Sequence, residues 1–225
     1  DAACRDYEYL TGSAAHCVDL ATITPEGIRE RVGERRPDVV FTSPPCKAFS
    51  GCLPRSRAKT KKYVELSSLA ERGVFVTLEA WETPPPIFLL ENVPRIQSSG
   101  REWLDAVVAM LQSYGYAVTE STHDCGVLGG LAQKRRRFLL IARHMEQVPE
   151  VVYEPPRQML RSVGEVFSAL PVPQPPRKGQ PGGAMHELGK LSDLNWLRLA
   201  LIPPGGDWRD LPDAVKLSDN PKRHN

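Results

Sequence analysis

Short apolar runs alternate with longer stretches of helical periodicity through the first two thirds of the chain. Runs rich in β-branched and apolar residues predict strands at 38–43, 87–93, 116–122 and 137–143, and a short strand leading into a loop at 15–24. Apolar residues at near-helical spacing predict helices at 25–35, 63–81 and 102–115. This alternation indicates an α/β fold built on a doubly wound, mostly parallel sheet.

Two chemically active side chains stand at the carboxyl ends of predicted strands. Cys46 follows the strand at 38–43 after Pro44 and Pro45, and Glu91 comes directly after an apolar run. Ligand sites of doubly wound sheets lie at the carboxyl ends of the strands. We therefore expect Cys46 and Glu91 to share one crevice, although they are far apart in the sequence.

The composition and the pattern of predicted elements change after about residue 149. The segments 149–158 and 170–183 are rich in proline, and the alternation of strands and helices stops there. Only 162–170 and 192–202 have helical character in this part of the chain. We therefore predict a first domain at 1–149 and a second, proline-rich region at 150–225.

Composition and charge narrow the classes of function. Hydrophobic residues make up 41% of the 225 residues, which is sufficient for a core, and the formal net charge of +2 does not by itself indicate nucleic-acid binding. The distribution of charge is more informative, because Lys and Arg concentrate at 55–62 and 133–138. Both runs are candidate phosphate contacts, and a solvated basic face is the alternative for each.

The cysteines argue against a disulfide framework or a zinc knuckle, because their number is odd and no CxxC spacing occurs. We therefore predict no metal site and a cytoplasmic location. No apolar run approaches the ~20 residues of a membrane span, so no membrane partner is predicted. The five cysteines are Cys4, Cys17, Cys46, Cys52 and Cys125.

Three features carry the candidate chemistry. Cys46 is held at a strand end by two prolines, which suits a nucleophile, although a small buried hydrophobe is the alternative for a cysteine without context. Glu91 lies at the rim of the predicted core, where a carboxyl group can donate or share a proton. Arg135 and Arg137 are two residues apart on a strand and point to the same face, where they can favour ionisation of a thiol, bind a carbonyl oxygen or bind a phosphate. A solvated strand end is the alternative for the pair.

The order of these motifs resembles that of one enzyme family. The segments "PPC" with "FSG" at 44–51, "ENV" at 91–93 and "QKRRR" at 133–137 are similar to the signatures of the DNA cytosine-5 methyltransferases. The resemblance covers residues 15 to 145, and 201–212 is similar to part of the family's variable region. It implies a Rossmann-like fold that uses S-adenosylmethionine, followed by part of a target-recognition region after residue 149.

The resemblance also implies a role for each motif residue. Cys46 is the nucleophile that adds to C6 of a cytosine flipped out of duplex DNA. Glu91 contacts N3 and the exocyclic amine, Arg137 contacts O2, and Arg135 supports the same pocket or the nearby thiolate. Asn92 and Val93 shape the turn after their strand.

The cofactor contacts implied by the resemblance are fewer. Asp19 is similar to the acidic residue that accepts a hydrogen bond from the adenine amine, and Pro44 and Phe75 line the cofactor pocket. A strand-end cap is the alternative for Asp19, and ordinary helix packing is the alternative for Phe75. The family's Phe-x-Gly-x-Gly loop is expected before residue 1, so we expect the 225 residues to form an internal part of a longer enzyme.

The predicted partner is double-stranded DNA, bound by a monomer of bacterial or phage origin. A restriction system with a cognate endonuclease, a phage and an orphan regulator stay open as the setting of the enzyme. Three other functions remain open at this point. An RNA cytosine-5 methyltransferase uses the same scaffold, and a catalytically silent DNA-binding remnant is the second alternative. A thiol hydrolase is the third, but the histidines have no recognisable hydrolase context.

Overall fold

The structure is a computed structural model that describes residues 2–45, 60–150, 156–170 and 191–216, with the side chains of 61–64 excepted. The chain divides into two compact units, residues 1–166 and 167–225. The predicted boundary between a catalytic domain and a target-recognition region near residue 150 stays a prediction. Within the described residues, no helix combines the length and the apolar character that a membrane crossing requires.

The first unit contains helices and strands along the chain, and its first helix, at 2–11, lies in a segment for which the sequence pattern predicted no element. Its strands are β1 (Val39–Thr42), β2 (Ile87–Asn92), β3 (Tyr116–Asp124) and β4 (Arg136–His144). The helices before β2 are α1 (Ala2–Thr11), α2 (Pro25–Val32) and α3 (Lys61–Leu78). The later helices are α4 (Ile96–Ser99), α5 (Arg101–Ser113), α6 (Cys125–Gly129) and α7 (Val163–Ser168), the last of which continues into the second unit.

The described part of the second unit contains one further α-helix and two short turns of 3-10 helix. Helix α8 spans Asp193–Leu201, and Ser192 caps it by accepting a hydrogen bond from the backbone amide of Asn195. The 3-10 turns lie at Trp208–Asp210 and Asp213–Val215. The predicted helices at 162–170 and 192–202 are thus confirmed with slightly shorter bounds.

The described strands form a mixed sheet in the order β1-β2-β4-β3. Strands β1 and β2 are parallel, with Val39 opposite Ile87. Strand β4 runs antiparallel to both of its neighbours, with Leu139 opposite Glu91 of β2 and Arg137 opposite His123 of β3. The α/β fold is confirmed, but these strands make one parallel and two antiparallel pairs, so this part of the sheet is less parallel than predicted.

Most of the predicted elements form, and one does not. The helix predicted at 25–35 forms at Pro25–Val32 and is capped by Thr24, which accepts a hydrogen bond from the backbone amide of Gly27. Residues 15–24 make no strand, which corrects the prediction for that segment. Asp19 instead closes a turn there, since its side chain accepts from the amide of Ala21 at 2.9 Å and its carbonyl from Ile23 at 3.0 Å.

One face of the sheet is buried under α3 and α5. Helix α5 presents an apolar stripe whose spacing matches the helical repeat, and it packs on the inward residues of β2 and β4. The inward residues of these strands alternate with more exposed ones, as a pleated sheet requires. The core side chains include Phe88, Leu90, Trp103, Leu104, Val107, Leu111, Phe138 and Leu140.

Candidate active site

The carboxyl ends of β1 and β2 lie side by side because the two strands are parallel neighbours. Strand β1 ends at Thr42 and leads into Ser43, Pro44 and Pro45, while β2 ends at Asn92. Cys46, the predicted nucleophile, lies outside the described residues. The residues that lead directly to it are described, and two of them contact the end of β2.

Glu91 is bound from two sides at this edge of the sheet. The hydroxyl of Ser43 donates to its Oε2 at 2.6 Å, and Nε of Arg137 lies 2.7 Å from its Oε1. The side chains of Glu91 and Arg137 are each 22% exposed, so the ion pair is largely shielded and still open to a ligand. The structure therefore brings together two residues that the sequence placed in different motifs.

The register of the sheet explains the ion pair. Glu91 stands opposite Leu139, and Arg137 precedes Leu139 by two residues on the same face of β4. Diagonal neighbours across an antiparallel pair are within reach of long side chains, so the guanidinium can meet the carboxylate. Each group also keeps bonding capacity, because a carboxylate offers about four acceptor sites and a guanidinium five N–H donors.

Asn92 joins the two strand ends through the opposite face of β2. Its side-chain amide donates to the carbonyl of Pro44 at 3.1 Å, and its Oδ1 accepts from the amide of Val93 at 2.9 Å. The side chain is only 2% exposed. Asn92 therefore bonds both the backbone that follows β2 and the segment that leads to Cys46. Its role in shaping the turn stays a prediction.

Arg135 lies just before β4, and its side chain is exposed. Its backbone carbonyl accepts from the amide of Cys125 at 2.9 Å, which closes the loop between β3 and β4. Asp124 caps the short helix in this loop by accepting from the amides of Gly126 and Val127. The structure thus places Arg135 at the same end of the sheet as Arg137, and of the two it is Arg137 that contacts Glu91.

A cavity of about 420 Å³ adjoins the end of β1. It lies between the turn that begins at Asp19, the segment from Val40 to Pro45, and one face of α3. Asp19 and Pro44, two of the predicted cofactor contacts, are among its lining residues. The third, Phe75, is 42% exposed and is not among the described residues that line it. Helix α3 contributes Leu66, Leu69, Ala70, Gly73 and Thr77.

The chemistry of this cavity fits S-adenosylmethionine. Its volume falls in the range of about 300–1,000 Å³ that is usual for small-molecule sites. The walls are mostly apolar and suit an adenine ring, and the Asp19 carboxylate uses one acceptor position on Ala21 while keeping others for an amine. No group of three or more His, Cys, Asp or Glu side chains that could hold a metal ion occurs among the described residues.

Ser43 is the site residue that sequence reasoning missed. A serine between a strand and two prolines is a common loop residue, and only the parallel pairing of β1 and β2 sets its hydroxyl beside Glu91. A weak signal was available, because Ser43 lies at the carboxyl end of a predicted strand, where ligand-binding groups of such sheets collect.

The chain is similar in sequence to known proteins. The chain is 28% identical over 174 residues to the type II methylase M.HgiDII of Herpetosiphon aurantiacus, and 28% identical over 226 residues to DNA (cytosine-5)-methyltransferase 3 of Arabidopsis thaliana. The matches cover 76% and 81% of this chain but only 46% and 16% of those two proteins. The chain therefore spans less than half the length of either relative.

A solved structure and a family profile complete the comparison. The structure of the Entamoeba histolytica methyltransferase EhMeth superposes with a TM-score of 0.55 at 15% identity, covering 71% of this chain and 46% of that one, so the two share a fold. The profile described as C-5 cytosine-specific DNA methylase matches residues 2–165, which include the strand ends, the cavity and the Glu91–Arg137 pair. The chain therefore belongs to the C-5 cytosine-specific DNA methylase family.

Proposed function

We propose that this protein transfers a methyl group from S-adenosylmethionine to C5 of a cytosine in duplex DNA, through a covalent bond between Cys46 and C6. The observation that carries the proposal is the joining of three motifs at one edge of the sheet. Ser43 and Arg137 both contact Glu91, and Asn92 holds the carbonyl of Pro44, two residues before the cysteine. Family membership supports the same reaction.

In the first step of the proposed reaction, Cys46 acts as the nucleophile. Carbon C5 of cytosine is not nucleophilic enough to take a methyl group unaided. Addition of the Cys46 thiolate to C6 forms a C–S bond and shifts the electron pair of the C5–C6 double bond to C5. When bound, S-adenosylmethionine supplies the methyl group that C5 takes up. A base then removes the C5 proton, the double bond forms again and the thiolate leaves.

Glu91 and Arg137 stabilise the cytosine ring while sulfur is attached. Glu91 accepts a hydrogen bond from the exocyclic amine and shares a proton with N3, where negative charge develops. Arg137 uses one N–H on Glu91 and one on the carbonyl of Arg136, so three remain for O2 of the base. Arg135 adds positive charge at the same strand end. Ser43 keeps the Glu91 carboxylate aimed at the base.

None of this chemistry is accessible inside a stacked duplex. The cytosine must be flipped into the pocket, at a cost of about a few kcal/mol for unstacking and unpairing. The basic runs at 55–62 and 133–138 are suited to hold the phosphates on either side of the flipped nucleotide. We further infer action as a monomer in a bacterial or phage system, with a cognate restriction endonuclease.

The test is a methylation assay on the protein expressed from its complete coding sequence. Duplex DNA and tRNA are each incubated with S-adenosylmethionine labelled in the methyl group, and 5-methylcytosine is measured after digestion to nucleosides. Labelled 5-methylcytosine from DNA is the expected result. Label in tRNA alone would establish the RNA alternative, and no label in either substrate, with DNA still bound, would establish a silent DNA-binding protein.

A further inference from the structure

The turn that begins at Asp19 forms one wall of the cavity assigned to the cofactor. Inside the turn, the carbonyl of Asp19 accepts from Thr22 at 3.2 Å and from Ile23 at 3.0 Å, and its carboxylate accepts from Ala21 at 2.9 Å. These bonds set the shape of the turn. They do not set its distance from α3, which forms the facing wall.

The side chain of Arg72, on α3, bridges that distance. Nε of Arg72 donates to the carbonyl of Leu20 at 2.8 Å, and its Nη2 donates to the carbonyl of Ile23 at 2.6 Å. The guanidinium therefore holds the turn at two points, directly after Asp19 and at Ile23, which is only 8% exposed. Close packing accompanies the bonds, because a methyl group at Gly73 would come within 3.3 Å of the Leu20 side chain.

We infer that Arg72 is a positioning residue for S-adenosylmethionine, acting through Asp19. Helix α3 supplies five lining residues of the cavity, and Arg72 fixes the Asp19 turn to that same helix. The width of the cavity is then set by the two bonds of Arg72. The inference rests on the proposed function, since it takes S-adenosylmethionine as the ligand of this cavity.

The two hydrogen bonds to the turn that begins at Asp19 require an arginine at position 72. A guanidinium presents its N–H groups in a rigid planar fork that reaches two carbonyls at once, whereas a lysine ammonium is a compact point charge on a flexible stem. Arg72→Lys is therefore expected to keep part of the attachment, and Arg72→Met to lose all of it. A cofactor held by a misplaced Asp19 binds about tenfold more weakly, which corresponds to about 1.4 kcal/mol.

The test compares four proteins, each expressed from the complete coding sequence: wild type, Arg72→Met, Arg72→Lys and Arg29→Met. Arg29 is the matched control, because its guanidinium also donates to a distant backbone carbonyl, that of Ala80 just after α3, at 3.3 Å. It is not among the described residues that line the cavity. Isothermal titration with S-adenosylmethionine gives the dissociation constants, and thermal melting reports whether each variant is folded. Steady-state kinetics then separate KM for the cofactor from kcat.

The expected order of affinity is wild type equal to Arg29→Met, then Arg72→Lys, then Arg72→Met at about one tenth of the wild-type affinity. KM for S-adenosylmethionine should rise in proportion, with kcat at saturating cofactor nearly unchanged. Wild-type affinity in a folded Arg72→Met overturns the inference, and if that variant is unfolded, wild-type affinity in Arg72→Lys does so. Absence of binding by the wild type would instead overturn the proposed function, and the inference with it.

Discussion

The side-chain amide of Asn92 donates to the backbone carbonyl of Pro44 at 3.1 Å, from a position where Asn92 is only 2% exposed. The bond joins the end of β2 to the segment that leads to Cys46. It also connects the two halves of the site, because the neighbouring Glu91 carries the contacts to Ser43 and Arg137. The segment that leads to the predicted nucleophile is thus bonded to a buried residue of β2.

Replacing Asn92 by leucine is expected to lower both stability and activity. The carbonyl of Pro44 and the amide of Val93 would lose their partner, and a buried polar group left unsatisfied costs about 1–3 kcal/mol. Urea denaturation measures the free energy of unfolding, and the methylation assay measures kcat. Asn92→Asp separates the two bonds, because it keeps an acceptor for Val93 and loses the donor to Pro44. Full activity in Asn92→Asp would show that the Pro44 bond is dispensable.

Replacing Cys46 by serine is expected to reduce methyl transfer to background. A hydroxyl is far less ionised than a thiol near neutral pH, so it cannot supply the attacking anion. Cys52→Ser is the matched control, since it makes the same change six residues away, and it should retain most of the activity. Loss of activity in Cys52→Ser with retention in Cys46→Ser would overturn the assignment of the nucleophile.

A covalent adduct should form on DNA that carries 5-fluorocytosine at the target position. Fluorine at C5 leaves no proton for the base to remove, so elimination stops and sulfur stays attached to C6. The adduct is detected as a band that survives detergent and heat, and the modified peptide is identified by mass spectrometry. An adduct on any residue other than Cys46 contradicts the proposed mechanism.

Replacing Glu91 by glutamine tests the contribution of its negative charge, because the glutamine side chain has nearly the same shape. The amide keeps an acceptor for Ser43 but loses the negative charge opposite Arg137 and the proton that we propose Glu91 shares with N3. We expect kcat to fall by about 10²–10⁴-fold, the usual contribution of a positioned acid or base. Thermal melting should change less than kcat, because the glutamine amide still offers hydrogen-bonding groups at the positions that face Ser43 and Arg137.

Ser43→Ala is the companion variant for this prediction. It removes only the second contact to the carboxylate, so its effect on kcat should be much smaller than that of Glu91→Gln. Equal losses in the two variants would mean that orientation of Glu91, rather than its charge, limits the reaction.

Alkaline unfolding should depend on Tyr116, which is 1% exposed and donates a hydrogen bond to the carbonyl of Pro85. Burial raises the pKa of Tyr116 to about 12, an effect that the nearby Arg36 partly offsets. A phenol whose folded pKa is raised contributes stability that is complete below the unfolded pKa of about 10 and is lost as the pH rises towards 12. Urea midpoints between pH 8 and 11 should therefore fall more steeply in the wild type than in Tyr116→Phe.

Tyr114 gives the comparison for the alkaline experiment. Burial and a hydrogen bond to Glu79 raise the pKa of Tyr114 to about 12 as well, but its ring is more exposed than that of Tyr116. Tyr114→Phe should flatten the pH dependence less than Tyr116→Phe does, because solvent at the only partly buried Tyr114 weakens the effects that raise its pKa. An unchanged slope in Tyr116→Phe would contradict the assignment of the alkaline transition to this residue.

Much of the fold could be predicted from the spacing of apolar residues along the chain. The helix of Arg101–Ser113 and the strand of Ile87–Asn92 appear within a residue or two of their predicted bounds, since their apolar spacing matches the buried face that they present. The direction of the strands could not be predicted from the sequence pattern, because a period of two residues is the same for parallel and antiparallel pairing. The segment at 15–24 was mistaken for a strand because its apolar residues carry no information about a pairing partner.

Some residues of the candidate site could be predicted from the sequence, and others could not. Glu91 and Arg137 belong to recognisable motifs, so their meeting could be anticipated. The bonds of Ser43 and Arg72 depend on register and on helix placement, which a sequence pattern does not contain. Phe75 shows the same limit, since helical spacing alone does not say which side of α3 faces the cavity.

Strand β4 enters the site at its beginning, whereas β1 and β2 arrive at their ends. The loop that precedes β4 is closed by the bond between Cys125 and Arg135, so the placement of Arg137 follows from the ladder and not from the length of that loop. The length of residues 130–132, which lie between α6 and the basic run at 133–138, can therefore change during evolution without moving Arg137. A protein engineer can insert a reporter peptide in this stretch and expect the Glu91–Arg137 pair to keep its alignment.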